Sequence, residues 1–295
     1  MRRVLATGGN GQVGTELKRF AWPPGWELTA IDIDELDLRN RAEVASFIAD
    51  GGWSAVINAA AYTAVDRAES DAVAAWETNA LAPAALAQAC ANADSPLIHI
   101  STDYVFDGAR DGRWREGDPV GPLNVYGASK LGGELAVRTG WARHAIVRTS
   151  WVVSAHGSNF VKTMLRLAAK KEVVGVVADQ RGAPTSARDL AAVLARIAMG
   201  MAEEPGAPTG TFHFSNAGET TWHGVAAAAF GALAARGSRC AALEPIDTAS
   251  YPTPARRPVN SLLDHRAIGE AFGIVPRPWE DAISDILDEL MEQAA

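Results

Sequence analysis

The sequence is poor in cysteine, carries no surplus of positive charge and has no long apolar run, and each shortage excludes a class of protein. Only Cys90 and Cys240 occur in 295 residues. They lie far apart without a Cys-x-x-Cys, which argues against a disulfide framework or a zinc knuckle. Lys and Arg number 27 against 35 Asp and Glu, a net charge of −8. That balance removes the electrostatic footprint of a protein binding nucleic-acid polymers, although one phosphate could still be met by a local basic pocket. The longest weakly apolar stretch, 224–237, is mostly alanine and falls well short of the roughly 20 residues that span a bilayer. The first residues, Met1-Arg2-Arg3-Val4-Leu5-Ala6-Thr7-Gly8, reach a glycine cluster too early for the apolar region of a signal peptide. The expectation is a cytoplasmic enzyme with no membrane partner. Its six histidines are scattered without metal-ligand spacing.

What is present is an alternating pattern. Strand-like segments at 3–6, 28–33, 55–59, 97–101 and 145–149 are separated by helix-like segments at 12–20, 41–50, 73–93 and 125–139, the third of these bent at Pro83. Strands alternating with helices predict a parallel sheet covered on both faces, and right-handed crossovers make it doubly wound. Beyond Trp151 the pattern loosens into helices at 159–171, 187–202, 221–236 and 279–292 with short strands at 173–177 and 211–215. A proline-rich stretch at 237–278 reads as a fixed irregular path. The predicted fold class is α/β: a Rossmann-like dinucleotide domain over 1–150 and a smaller, partly interleaved substrate lobe over 151–295.

Two motifs carry chemistry. Gly8, Gly11 and Gly14 form a G-x-x-G-x-x-G between the first strand and first helix, with Gln12 and Val13 opening the helix. Such a turn allows close backbone approach to a pyrophosphate and aims free N–H groups at the anion. Asp32 ends the second strand, where a carboxylate accepts from adenosine ribose hydroxyls. It should repel a 2′-phosphate, so charge alone favours NADH; Asp34 and Asp37 compete for the role, and Arg39 could soften the preference. The second motif is Tyr126-Gly127-Ala128-Ser129-Lys130, where phenol and ammonium share one helical face. A neighbouring cation is expected to lower the tyrosine pKa toward the working range. Thr102, at the carboxyl edge of the fourth strand, completes the three-part site of a carbonyl reductase.

Those three residues, the glycine pattern and Asn58-Ala59-Ala60-Ala61 resemble the extended short-chain dehydrogenase/reductase superfamily. Longer strings resemble its dTDP-4-dehydrorhamnose reductase family: Asn58 to Glu69, Ser101 to Gly108, Arg148-Thr149-Ser150-Trp151, Asp179 to Thr185 and Tyr251 to Pro258. The resemblance covers nearly the whole chain. It implies NADPH or NADH as cofactor and a nucleotide-sugar substrate whose 4-keto group is reduced, the last step of rhamnose donor synthesis. Tyr126 would then be proton donor, Lys130 would hold the nicotinamide ribose, and Thr102 would bond the keto oxygen. Ala61, Tyr62 and Thr63 would touch the cofactor; Thr102, Asp103 and Trp151 the deoxysugar. Arg256 and Arg257 are candidates for a diphosphate clamp, as against a solvated pair. Some relatives of this kind use Mg²⁺ at a subunit contact, which would go with a homodimer. Glu16 and Glu289 are compatible with a metal, whereas Arg188 stands where an acid can occur.

Rival readings stay open at this level. A 4,6-dehydratase of the same superfamily needs an Asp-Glu pair after the threonine, and here Asp103 is followed by Tyr104. An epimerase would retain its NAD. A reductase for another 4-keto deoxysugar would differ only in stereochemistry. A non-catalytic partner of methionine adenosyltransferase would not need Thr102, Tyr126 and Lys130.

Overall fold

A computed structural model describes residues 1–238 and 240–293. Six strands form one parallel sheet: β1 (Arg2–Thr7), β2 (Trp26–Ile31), β3 (Ala55–Asn58), β4 (Leu97–Thr102), β5 (His144–Thr149) and β6 (Gly210–His213), in the order β6-β5-β4-β3-β1-β2. The strands are short apolar runs, and β3 and β5 are buried along their whole length. A sheet covered on both faces requires that. Helices α1 (Gln12–Arg19), α2 (Arg41–Gly51), α3 (Ala82–Asn92) and α4 (Val125–Gly140) make the crossovers. One face is closed by Leu86, Cys90 and Val137 over Leu5, Val56 and Ile146. The other is closed by Leu190, Leu194 and Ile197 over Val4, Ile57 and Val147.

Those last three leucine and isoleucine side chains belong to α5 (Ala187–Glu203), and β6 adds the sixth strand beside β5. The sheet therefore takes in 187–213 as well as the first 150 residues. A separate apolar cluster joins Val161 and Met164 of the helix Phe160–Lys170, Val225 and Phe230 of Trp222–Ala235, and Ile283 and Leu287 of Trp279–Glu292. The two sheet faces and this cluster are distinct centres of burial.

Two departures from the sequence reading are local. The stretch expected to be irregular contains a strand, Ala242–Ile246, paired in parallel with Val173–Val177, and a helix, Arg266–Phe272. Pro245 lies inside that strand, at the edge of a two-stranded ribbon where a missing N–H costs little. The long helix carries Pro83 in the first turn of α3, where proline is tolerated. It widens one turn earlier into a π-helix, Glu77–Leu81. Among the described residues no helix is long and apolar enough to cross a membrane.

Candidate active site

The carboxyl ends of β1, β3, β4 and β5 open onto a cleft of about 820 Å³. One wall is the glycine turn. Gly8 has φ +70°, and a Cβ there would stand 2.8 Å from the Ala60 amide nitrogen; only glycine lets the turn lie against the end of β3. Gly14 has a different reason: a Cβ on it would come within 2.2 Å of the Gly8 carbonyl oxygen. Its task is helix-to-loop contact, and it does not line the cleft. Gly11 precedes α1 with no side-chain cap, so the first amides of the helix face the cleft beside Gln12 and Val13. Asp32 lies just past the end of β2, and its Oδ2 accepts from the Asn10 amide at 2.7 Å. Arg39 is held in a forked pair with Asp37, which keeps that carboxyl below the ordinary carboxylate range.

Thr102 ends β4, and Tyr126 and Lys130 stand on the first turns of α4, whose start is fixed by Asn124. The Asn124 Oδ1 accepts from the Gly127 amide at 2.7 Å while its Nδ2 donates to the Arg256 carbonyl at 2.7 Å. All three predicted residues line the cleft. The Tyr126 ring packs edge-on against Tyr104, 5.7 Å between centroids. The expected effect of lysine on tyrosine is not seen. Burial pushes the Tyr126 phenol up to about 12, and the Lys130 Nζ donates to the Ile100 carbonyl at 2.6 Å. Burial draws Lys130 itself down to about 8, partly countered by Glu134 one helical turn on. Loss of hydration dominates at both groups.

Glu134 is fully buried and binds the buried Arg148 through Nε at 2.8 Å and Nη2 at 2.7 Å, while accepting from Ser101 Oγ at 2.6 Å. Asp103 is also buried, takes the Thr102 hydroxyl at 3.0 Å, and is pushed up to about 7 by loss of water. Trp151 lines the cleft with φ +49° and stacks on Trp222 at 3.9 Å between centroids. Gly182 makes room for it, since a Cβ there would stand 2.6 Å from the indole.

The remaining predicted positions divide. Ala61 and Thr63 line the cleft, but Tyr62 turns its hydroxyl to Asp71 at 3.2 Å. Arg257 is forked onto Asp66 through both nitrogens, Nη1 at 2.9 Å and Nη2 at 2.7 Å. Arg256 is exposed, and neither arginine lines the cleft. Sequence reasoning missed four positions: Trp222, Ser129, Glu134 and Asn79. Asn79, carried by the π-helix, accepts from the Tyr62 amide at 2.8 Å and donates to the Tyr62 carbonyl and to Ser129 Oγ, both at 3.0 Å. It thereby ties the loop after β3 to the helix bearing Tyr126 and Lys130. A lone asparagine in an alanine-rich helix is the signal that could have found it.

The acids considered for a metal do come together. Glu16, His156 and Glu289 offer ligand atoms within 4.8 Å of one another. The Arg19 guanidinium, however, bonds both Glu289 and His156 and lies 3.8 Å from Glu16. A cation of the chain's own already occupies the centre of this group, and Arg188 adds no acid. These residues do not fit a divalent metal.

A doubly wound parallel sheet with a glycine turn after β1 and a tyrosine–lysine pair beside the end of β4 defines a short-chain dehydrogenase/reductase. Within that class, the family model described as RmlD substrate binding domain matches residues 1–292, and the chain belongs to that family, the dTDP-4-dehydrorhamnose reductases. It is 44% identical over 298 residues to the dTDP-4-dehydrorhamnose reductase of Burkholderia thailandensis, covering 99% of this chain and all of the relative. The crystal structure of a dTDP-4-dehydrorhamnose reductase from Clostridium acetobutylicum superposes with a TM-score of 0.91 at 35% identity, covering 98% of this chain and 99% of the other. That from Bacillus anthracis, solved in complex with NADP, gives 0.89 at 33% identity over 98% and 100%.

Proposed function

We propose that the protein reduces the 4-keto group of dTDP-4-dehydro-β-L-rhamnose to give dTDP-β-L-rhamnose, with NADPH or NADH as hydride donor, in the cytoplasm. The observation that carries this reading is the meeting of Thr102, Tyr126 and Lys130 in one cleft with the glycine turn. The cofactor binds with its pyrophosphate on Gly8, Gly11, Gln12 and Val13 and its adenosine ribose on Asp32, and passes Ala61 and Thr63 to reach Lys130. Bound, it supplies a hydride to the sugar C4. As the ketone becomes an alkoxide, Tyr126 gives it a proton and Thr102 donates a hydrogen bond to the same oxygen. The positive Lys130 holds the ribose and favours the phenolate left behind. The first 150 residues, with 187–213, serve the cofactor. Trp151 and Trp222 offer the deoxysugar an aromatic wall from the second lobe, which runs on to 295, with residues 239, 294 and 295 outside the described part.

The absence of a second carboxylate after Asp103 disfavours the dehydratase, and the intact Thr102, Tyr126 and Lys130 disfavour a non-catalytic partner. The test is oxidation of reduced nicotinamide followed at 340 nm with and without dTDP-4-dehydrorhamnose. Turnover should need the keto sugar, and Tyr126→Phe should lose a factor of at least about 100, the lower range for a positioned general acid. Normal binding of both ligands without hydride transfer would overturn the reading in favour of a regulatory role.

A further inference from the structure

We propose that Asp103 is a positioning residue that sets the polarity of the Thr102 hydroxyl: with its proton on, Thr102 is free to donate to the substrate ketone beside Tyr126, and with its proton off, it is not. The proposal rests on the reductase reading above, and it follows from counting hydrogen-bond capacity. A threonine hydroxyl has one hydrogen and two lone pairs. Here the hydrogen goes to Asp103 Oδ1 at 3.0 Å, and one lone pair takes the Tyr104 amide at 3.2 Å. The one Thr102 hydrogen is spent on Asp103 and is not offered to an oxygen entering the cleft.

A proton on Asp103 Oδ1 reverses this arrangement. The carboxyl then donates to Thr102, whose two lone pairs are filled by Asp103 and the Tyr104 amide. The Thr102 hydrogen is released toward the cleft that Tyr126 also lines. One proton frees a second donor beside Tyr126 at the point where negative charge develops on the ketone oxygen.

The surroundings of Asp103 suit a carboxyl that holds a proton near neutrality. It is 3% exposed, lines the cleft, and its Oδ2 has no partner. Burial pushes it up to about 7, with Ser261, Thr102 and the Tyr104 amide opposing. The ionisable groups around it are Tyr104 on its own segment, Tyr126 and Lys130 on α4, and the Arg257–Asp66 pair behind Tyr104. None lends it a close cation, for Arg257 is already forked onto Asp66.

Asp103→Asn tests this, because its amide donates to Thr102 at every pH. With NADPH and dTDP-4-dehydrorhamnose saturating, wild-type kcat should fall about fivefold from pH 6 to 7.5, the combined effect of groups at about 7 and about 8. The variant should fall only about 1.3-fold, the part owed to Lys130. Thermal unfolding gives a readout independent of turnover. A carboxyl whose pKa is raised on folding adds stability below its unfolded pKa and loses it as pH rises through the folded value. The variant should therefore melt above wild type at pH 8, with the gain shrinking toward pH 5. Parallel pH–rate profiles in an active enzyme would overturn the proposal, whatever the melting shows. A wild type without turnover would instead refute the reductase reading, and the proposal with it.

Discussion

Removing the charge of Glu134 should lower both the stability and the Lys130 pKa, and the structure says how much. Glu134 is the only carboxylate bonded to Arg148 among the described residues, and both side chains are almost wholly inaccessible to water. Glu134→Gln preserves shape but leaves a buried guanidinium without an anion. Breaking such a pair from one side costs about 3–5 kcal/mol, most of it the penalty of the stranded charge. For a chain of this size that is a fall in Tm on the order of 10 °C. Arg148→Met in the same background removes the stranded charge and should recover at least half of the loss, since apolar replacement of a buried pair is often near neutral. Glu134 also raises the Lys130 pKa, so its neutral variant should titrate Lys130 below about 8 and shift the alkaline limb of kcat to lower pH. Urea unfolding at pH 7 and the pH–rate profile read the two effects. A loss under about 1 kcal/mol, or a double variant no more stable than Glu134→Gln alone, would refute this account of the pair.

Two further outcomes follow from the packing. Gly14→Ala drives a methyl into the Gly8 carbonyl and the Gly9 Cα at 2.2 and 2.6 Å; this should destabilise by about 1–3 kcal/mol and raise the KM for the nicotinamide cofactor, as measured by melting and initial rates. Acid should unfold the protein through His213 and His265, which burial draws down from 6.5 to about 3 and about 4. Below pH 6.5 the unfolded chain binds protons that the folded one refuses, so stability should fall on acidification by roughly 2 kcal/mol per histidine at pH 5. Replacing both by Gln should remove about 4 kcal/mol of the fall in unfolding free energy between pH 7 and 5, leaving the part owed to His99 and His144, which burial also holds below their ordinary value.

The sheet, its crossovers and the meeting of Thr102, Tyr126 and Lys130 in one cleft were legible because each is a local pattern with a fixed period or spacing. Short buried strands alternate with helices, and Tyr126 and Lys130 must share a face of whatever helix holds them. Arg257 was not legible in the same way. Its type and neighbours suit a phosphate clamp equally well, and only the fold reveals that Asp66, 191 residues away in sequence, already fills its fork. Asn79 and Glu134 escaped for the same reason, since their partners come from other elements. The tyrosine–lysine expectation failed for a different reason: spacing brings two groups together but says nothing of the water they lose. In this cleft that loss dominates, raising Tyr126 and lowering Lys130 at once. A phenol at about 12 beside an ammonium at about 8 is a pair waiting for a third group. The ribose that would take the Lys130 hydrogen bonds now spent on Ile100, and the proton state of Asp103, are what would bring the two values into working order.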